Sequence, residues 1–290
     1  MAKILRKKVL NPSVTLLEVD APHIAKKALP GQFIILRLDE KGERIPLTIA
    51  DYDRVRGTIT IMFQKVGLTT ELLGDLEPGQ EIRDFVGPLG MPTETEGMKK
   101  VAIVGGGVGC AIAYPQAKAL YNAGVTVDVI AGFRSKDIVI LEEEFAQVST
   151  HFYLTTDDGT AGEKGFVTDK LKSLILAGNE YDAVIAIGPI PMMKFVAATT
   201  KPFGIKTVVS LNPIMIDGTG MCGCCRVTVG GVIKFACVEG PDFDGHQVDF
   251  DELMNRNAAY REAEAEEKKD HACRMERLAD KAFGEGEYHA

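Results

Sequence analysis

Val101-Ala102-Ile103-Val104-Gly105-Gly106-Gly107-Val108-Gly109-Cys110 sets four consecutive apolar residues against a run of glycines. The apolar run reads as a strand buried on both faces, and the residues after the turn read as a helix over about 109–123. A strand that passes through a Gly-rich turn into a helix is the building unit of parallel sheets, so this stretch decides the fold of the middle of the chain. Without Cβ atoms at the turn, a pyrophosphate can approach backbone N–H groups and the positive end of the helix. Gly105, Gly106, Gly107 and Gly109 are therefore candidate phosphate-binding residues. In the G-x-G-x-x-G fingerprint Gly105 and Gly107 fit, while Cys110 occupies the third glycine position. The same glycines would also serve tight packing of strand on helix.

Downstream, a second strand (Thr126 to Ala131) and further alternating elements run to about Leu211, which predicts a doubly wound parallel sheet covered by helices on both faces. The second strand ends in Ala131-Gly132-Phe133-Arg134-Ser135 and lacks the usual ribose-binding carboxylate. Arg134 suits a 2′-phosphate or plain solvation, so local chemistry leaves NAD and NADP both open. Asp157 and Asp158 in Thr156-Asp157-Asp158-Gly159, and Gly188 in Ile187-Gly188-Pro189, fall at later strand ends, where such sheets bind ligands. Their alternative role is loop punctuation.

Upstream, short strands are expected at Val14 to Val19, Gln32 to Leu38, Leu47 to Asp51, Thr58 to Lys65 and Glu81 to Val86, separated by Pro-Gly, Lys-Gly and Arg-Gly turns. Their spacing predicts a small antiparallel β-barrel. The expected organisation is a barrel over 1–98, an α/β nucleotide domain over 99–211, a cysteine-rich segment over 212–250, and a helix with a loose Gly-Glu-Gly tail over 251–290.

The cysteine-rich segment contains Asp217-Gly-Thr-Gly-Met-Cys222-Gly-Cys224-Cys225, followed by Cys237, with gaps of four, two and eleven residues between Asp217, Cys222, Cys225 and Cys237. If Asp217 stands in the first ligand position, the spacing matches the C-x4-C-x2-C run of plant-type [2Fe–2S] sites. Cys224 falls between ligands in this register and is read as a non-ligand. A structural zinc is the alternative, although Cys222, Cys224 and Cys225 are too close together for ordinary C-x2-C knuckles. Asp-Gly is also a common turn pair.

Six cysteines, four of them within sixteen residues, suit metal ligation in a reducing compartment better than a disulfide framework. The chain has 290 residues, 46% of them hydrophobic, enough for a substantial core and more than one domain. A net charge of −8 gives no general electrostatic support for nucleic acid or an anionic membrane. No apolar run long enough to span a bilayer and no signal peptide is found, so a cytoplasmic location is expected.

Two barrel segments complete the pattern: Arg44-Ile45-Pro46-Leu47-Thr48, and Met62-Phe63-Gln64-Lys65-Val66-Gly67-Leu68-Thr69-Thr70. In this order, followed by G-G-G-x-G and D-x4-C-x2-C-x11-C, they resemble the ferredoxin–NADP reductase superfamily over roughly residues 1–250. More narrowly, the chain is similar to the electron-transfer subunits of type B dihydroorotate dehydrogenase. It is similar above all to the small subunits of NADH-dependent reduced ferredoxin:NADP+ oxidoreductases, whose first cluster position the aspartate matches. The resemblance implies FAD in the barrel, with Pro46, Leu47 and Thr48 beside the isoalloxazine, Thr69 and Thr70 at the pyrophosphate, and Met62, Phe63 and Gln64 along the ribityl and adenosine side. Alternation along a barrel strand is the other reading of those last three. Arg44 stands four residues before Thr48, where the superfamily places its phosphate-pairing arginine three before. In a strand that shift changes the face, so Arg44 is either a pyrophosphate ligand or solvated. The resemblance further implies NAD(H) as hydride carrier, a [2Fe–2S] cluster on Asp217, Cys222, Cys225 and Cys237, and no protein acid or base. It implies an obligatory large flavoprotein subunit carrying its own FAD and [4Fe–4S] clusters, through which ferredoxin and NADP(H) are reached and where bifurcation occurs. Alternatives are the electron-transfer subunit of a dihydroorotate dehydrogenase, a sulfide dehydrogenase or a hydrogenase, and a non-redox nucleotide-binding module with structural zinc.

Overall fold

The computed structural model describes residues 1–260, 262, 263, 265, 266 and 269. The N-terminal part is a curled antiparallel sheet of β1 (Ala2–Asn11), β2 (Val14–Asp20), β3 (Phe33–Arg37), β4 (Ile45–Asp53), β5 (Thr58–Gln64), β6 (Glu81–Ile82) and β7 (Asp84–Leu89), in the order β6-β1-β2-β5-β4-β3-β7. It forms a nearly closed barrel, with α1 (Pro22–Ala25) and α2 (Leu68–Asp75) between strands. Alternation divides its residues: Ile34, Leu36, Ile49, Ile59, Ile61 and Phe63 fill the interior. β3 is buried on both sides, because Phe33 and Ile35 pack outward against the rest of the chain.

Three features of this half differ from the sequence reading. β1 adds a strand that the pattern does not announce, since Lys3, Arg6, Lys7 and Lys8 interrupt its apolar residues and a register shift between Ile4 and Arg6 breaks the period of two. The expected strand from Glu81 to Val86 is two strands parted at Arg83, and the second continues to Leu89. A short helix, α1, opened by Pro22, lies between β2 and β3, where the pattern announces none.

The middle of the chain is a parallel sheet as expected: β8 (Lys100–Gly106), α3 (Gly109–Asn122), β9 (Thr126–Phe133), α4 (Glu142–Gln147), β10 (His151–Thr156), β11 (Glu163–Lys164), α5 (Val167–Leu176), β12 (Ala183–Ile187), α6 (Ile190–Thr200) and β13 (Lys206–Ser210). β14 (Arg226–Val229) and β15 (Val232–Phe235) form a separate hairpin whose two-residue turn, Gly230-Gly231, has φ of 59° and 75°. Such turns need φ > 0 at both positions, which glycine allows at little cost. After α7 (Ala236–Glu239), β16 (Asp242–Asp244) adds an antiparallel edge, giving the order β11-β10-β9-β8-β12-β13-β16. α8 (Phe250–Ala258) is capped by the Asp249 side chain, which accepts from Glu252 N at 2.9 Å. The Gly-Glu-Gly tail lies outside the described residues. Among the described residues no helix is long and apolar enough to cross a membrane.

Side-chain and backbone ties join these parts. Thr93, just past the barrel, donates to Asp242 Oδ2 at 2.6 Å and accepts from Gln116 Nε2 of α3 at 2.8 Å. Met91 N donates to Gly240 O at 2.7 Å. One apolar cluster takes in Phe33 and Ile35 of the barrel, Ala102 and Val104 of the parallel sheet, and Cys225, Val227, Ala236 and Cys237 of the cysteine-rich segment.

Candidate functional site

The Gly-rich turn sits where β8 delivers it, at the carboxyl edge of the sheet, and each glycine there has its own reason. A Cβ on Gly105 would lie 2.7 Å from Cys110 Sγ, so the missing side chain at 105 makes room for the cysteine in the third fingerprint position. That thiol is fully buried, and loss of solvation pushes its pKa up to about 12. A Cβ on Gly109 would lie 2.4 Å from Ile187 O and 2.7 Å from Gly188 Cα, which explains how closely α3 starts against the end of β12. Gly107 takes φ +57° with nothing within 4 Å, and its N–H donates to Gly132 O at 2.8 Å.

Around the turn opens a cavity of about 810 Å³, within the range that takes a dinucleotide. Gly106, Gly107, Gly109, Arg134, Asp157 and Gly188 line it, as does Gln64 from the barrel. Gly105 and Asp158 do not: Gly105 is packed under α3, and Asp158 accepts from Thr160 N at 2.9 Å and Thr160 Oγ1 at 2.7 Å in a turn that holds its carboxylate below the usual range. Arg134 is exposed at the end of β9. Sequence reasoning misses several wall residues. Ser210 ends β13 and Asn212 follows it, Met192 and Phe195 come from α6, and Asn11 and Ser13 from the β1–β2 turn. The strand-end rule points to Ser210 and Asn212, but the barrel contribution carries no local signal.

In the barrel, the register of β4 on β3 pairs Thr48 with Phe33, Leu47 with Ile34 and Pro46 with Ile35. Pro46 and Thr48 thus share the outer face, while Leu47 packs with the interior. β5 divides its three candidates as alternation demands. Gln64 faces the cavity, Phe63 is 2% exposed inside the barrel, and Met62 packs outward with Ala50 and Ala111 and lines a second cleft of about 570 Å³. At the start of α2, Thr70 Oγ1 accepts from Val66 N and Gly67 N at 3.0 Å and donates to Gly67 O at 2.9 Å, so this side chain shapes the turn. Thr69 Oγ1 donates to Glu43 Oε1 at 2.6 Å. With both hydroxyls engaged, an anion here would meet the helix's first-turn N–H groups.

The third element is the loop from Asp217 to Cys225. Gly218, Gly220 and Gly223 all have positive φ (88°, 83° and 70°), which winds the backbone tightly and leaves Cys222 within charge range of Asp217. Cys225 and Cys237 are buried with their Sγ atoms 3.2 Å apart. Burial first, and the Cys225 thiol second, push the Cys237 thiol up to about 12. Cys222 is exposed, and the Cys224 N–H, with a smaller contribution from that of Asp217, lowers its pKa. Cys224 has the opposite shift, raised chiefly by its bond to Cys222. Asp217 accepts from the Thr219 hydroxyl and, at 3.0 Å, from Thr219 N, and these bonds hold the carboxylate low.

Among the described residues, no three His, Cys, Asp or Glu side chains converge as a single ion requires. Two pairs do occur: Cys225 with Cys237, and Cys222 with Asp217, whose charges interact. A four-ligand zinc needs all ligands about one point, whereas a two-iron cluster takes its protein ligands two per iron, so the donor set fits the cluster. Gly218 seats this loop on the barrel, since a Cβ there would lie 2.8 Å from Ile35 Cδ1 and 2.9 Å from Leu89 Cδ1. Arg44 seats it too. Its Nε donates to Ile216 O at 2.7 Å, so the side chain is neither simply solvated nor turned toward α2.

Comparison with known proteins agrees with this layout. Residues 212–249 match the family model of the iron-sulfur cluster binding domain of dihydroorotate dehydrogenase B. The chain is 51% identical over 246 residues to the dihydroorotate dehydrogenase B (NAD(+)) electron transfer subunit homolog of Thermotoga maritima, covering 85% of this chain and 86% of the relative. A solved NADH-dependent reduced ferredoxin–NADP oxidoreductase, studied for flavin-based electron bifurcation, superposes with a TM-score of 0.90 at 46% identity, covering 94% of this chain and 98% of that one. The ferredoxin reductase of carbazole 1,9a-dioxygenase shares the fold at 18% identity and a TM-score of 0.60, over 70% of this chain and 65% of its own.

Proposed function

The chain belongs to the family of the dihydroorotate dehydrogenase B electron transfer subunit, and from that premise we propose that it carries electrons between NAD(H) and a larger flavoprotein subunit of a bifurcating ferredoxin–NADP oxidoreductase. In this reading Pro46 and Thr48 flank FAD and the start of α2 meets its pyrophosphate. Gly107 and Gly109 hold NAD(H) at the carboxyl edge of the parallel sheet. Asp217 and Cys222, with Cys225 and Cys237, would hold a [2Fe–2S] cluster. When bound, FAD supplies both hydride and single-electron chemistry, and the cluster supplies single-electron transfer.

The protein's share is placement. Gly107 and Gly109 let the backbone come close to a phosphate; Met192 and Phe195 line the cavity with apolar surface that excludes water; Gln64 contributes a polar group from the barrel wall. The observation that carries the reading is the seating of the Asp217–Cys225 loop on β3 and β7, beside the strand that bears Pro46 and Thr48. A partner fits at the loop's outer side, where Met221 is 89% exposed next to Cys222 and the adjacent Gly220 lies against the exposed Val238. In the proposed assembly that partner carries its own FAD and [4Fe–4S] clusters and deals with ferredoxin and NADP(H).

Anaerobic purification of the full chain with whatever co-elutes, followed by an optical spectrum and the partner's mass, tests this. Flavin and iron–sulfur absorbance with a larger flavoprotein are expected, as is a higher kcat/KM for reduction by NADH than by NADPH. A colourless zinc protein rejects the redox reading, and a preference for NADPH rejects the nucleotide. A dihydroorotate-oxidising partner would move the chain to that branch of the family.

A further inference from the structure

Arg44 stands just before β4, two residues ahead of Pro46, and reaches across 172 positions of sequence to the loop that carries Asp217. Its Nε donates to Ile216 O at 2.7 Å and its Nη2 lies 3.5 Å from Asp217 O. The other arm, Nη1, is 4.0 Å from Asp84 Oδ2, and that carboxylate is held in turn by Arg37 Nε at 2.6 Å. The guanidinium is a rigid fork, so its arms fix a direction as well as a distance. The side chain is 28% exposed and Asp84 28%, so the charges are only partly screened by water.

We propose that Arg44 is a positioning residue for the cluster, tying the strand beside the flavin to the ligand loop and stabilising the reduced cluster with its charge. The inference rests on the cluster assignment above. A strand rises about 3.3 Å per residue, so Thr48 follows Arg44 by roughly 13 Å, and the two ends of that short span belong to the two redox groups. Arg44 holds Ile216 and Asp217 by their carbonyls, so it fixes the loop without bonding to the Asp217 carboxylate, whose Oδ2 is held by Thr219. A cluster that accepts an electron gains negative charge, and a cation beside it favours that state. Asp84 opposes the effect while orienting the fork. The pyrophosphate role that the superfamily's arginine suggests therefore passes, in this chain, to the N-terminus of α2.

The test compares wild type, Arg44→Gln, Arg44→Lys and Asp84→Asn as full chains purified anaerobically, measuring FAD and iron per chain, the EPR spectrum of the reduced cluster and its midpoint potential. Arg44→Gln is expected to keep FAD at the wild-type ratio and to shift the cluster midpoint to more negative potential. Arg44→Lys, which keeps the charge without the fork, should recover most of the potential while broadening the EPR spectrum. Asp84→Asn should shift the midpoint the opposite way, and it keeps the test decisive if Arg44→Gln fails to fold. Midpoints unchanged in Arg44→Gln and Asp84→Asn overturn the proposal, as does loss of FAD with iron intact in Arg44→Gln, which returns Arg44 to the pyrophosphate. A merely structural arginine would lower iron content in both Arg44 variants without moving the potential of the cluster that remains. A wild-type chain that binds FAD but no cluster overturns the underlying assignment instead.

Discussion

Replacing Gly109 with alanine isolates the close approach on which the nucleotide site depends. The new Cβ would lie 2.4 Å from Ile187 O, against about 3.3 Å for a relaxed C···O contact, so the start of α3 must retreat from β12 by roughly 0.9 Å. Both neighbours are backbone, at the carboxyl end of β12, and neither can rotate away. Overpacking of this kind costs about 1–3 kcal/mol, which corresponds to a fall in Tm of roughly 2–12 °C for a chain of this size. The functional loss should be larger than the stability loss suggests, because the N–H groups that face the cavity move with the helix. A displacement near 1 Å can cost about 100-fold in a positioned reaction, so kcat/KM for flavin reduction by NADH should drop by roughly 10–100-fold. Stopped-flow flavin reduction and a thermal melt measure both, with FAD and iron contents expected at wild-type levels. Gly124→Ala is the control: Gly124 has φ +82° with nothing within 4 Å, so alanine there adds left-handed strain of about 1–2 kcal/mol without touching the cavity. A folded Gly109→Ala protein that oxidises NADH like wild type would refute the placement of the nucleotide at this turn.

Three further outcomes are expected. Cys225→Ser and Cys237→Ser should each lose cluster absorbance while Cys224→Ser keeps it, and Asp217→Cys should retain a cluster with an altered EPR spectrum and potential. In cluster-free protein, brief alkylation read by mass spectrometry should label Cys222, whose thiol is exposed and lowered, and spare Cys110, whose thiol is buried and pushed up to about 12. Burial raises the Asp242 carboxyl above its ordinary range, so the fold favours its neutral form more than the unfolded chain does, and stability present below the unfolded value is lost as pH rises through the folded value. Asp242→Asn should therefore gain on wild type in urea unfolding as pH increases, and a constant difference across pH would sink the argument.

Much of the site is written in local pattern. The turn at Gly105 to Gly109 and the spacing of Asp217, Cys222, Cys225 and Cys237 are legible because a few adjacent residues both form the backbone shape and supply the chemistry. The parallel sheet is legible for a similar reason, since strands buried on both faces must be apolar throughout. β1 is not, because its lysines and arginines mask the apolar residues and a register shift spoils the alternation. Arg44 shows a different limit: its position suggests two local roles, and its partners lie 172 residues away on a loop that only the folded barrel brings near. Resemblance groups Phe63 and Leu47 with their neighbours, yet a period of two turns both into the barrel. Ser210 and Asn212 occupy strand-end positions but carry no distinctive composition.

The knot at Thr93, Gln116 and Asp242 has a consequence for how the molecule is made. The last barrel strand ends at Leu89, but the segment that covers its outer face and that of Phe33 and Ile35 includes residues near 240. At a ribosomal rate of about 5–20 residues per second, some 150 residues separate the two, so the outer wall of the barrel waits roughly 8–30 s for its cover. During that interval Phe33 and Ile35 lack the part of their packing that this segment supplies. The barrel is thus finished late in synthesis by the same segment that holds the cysteines.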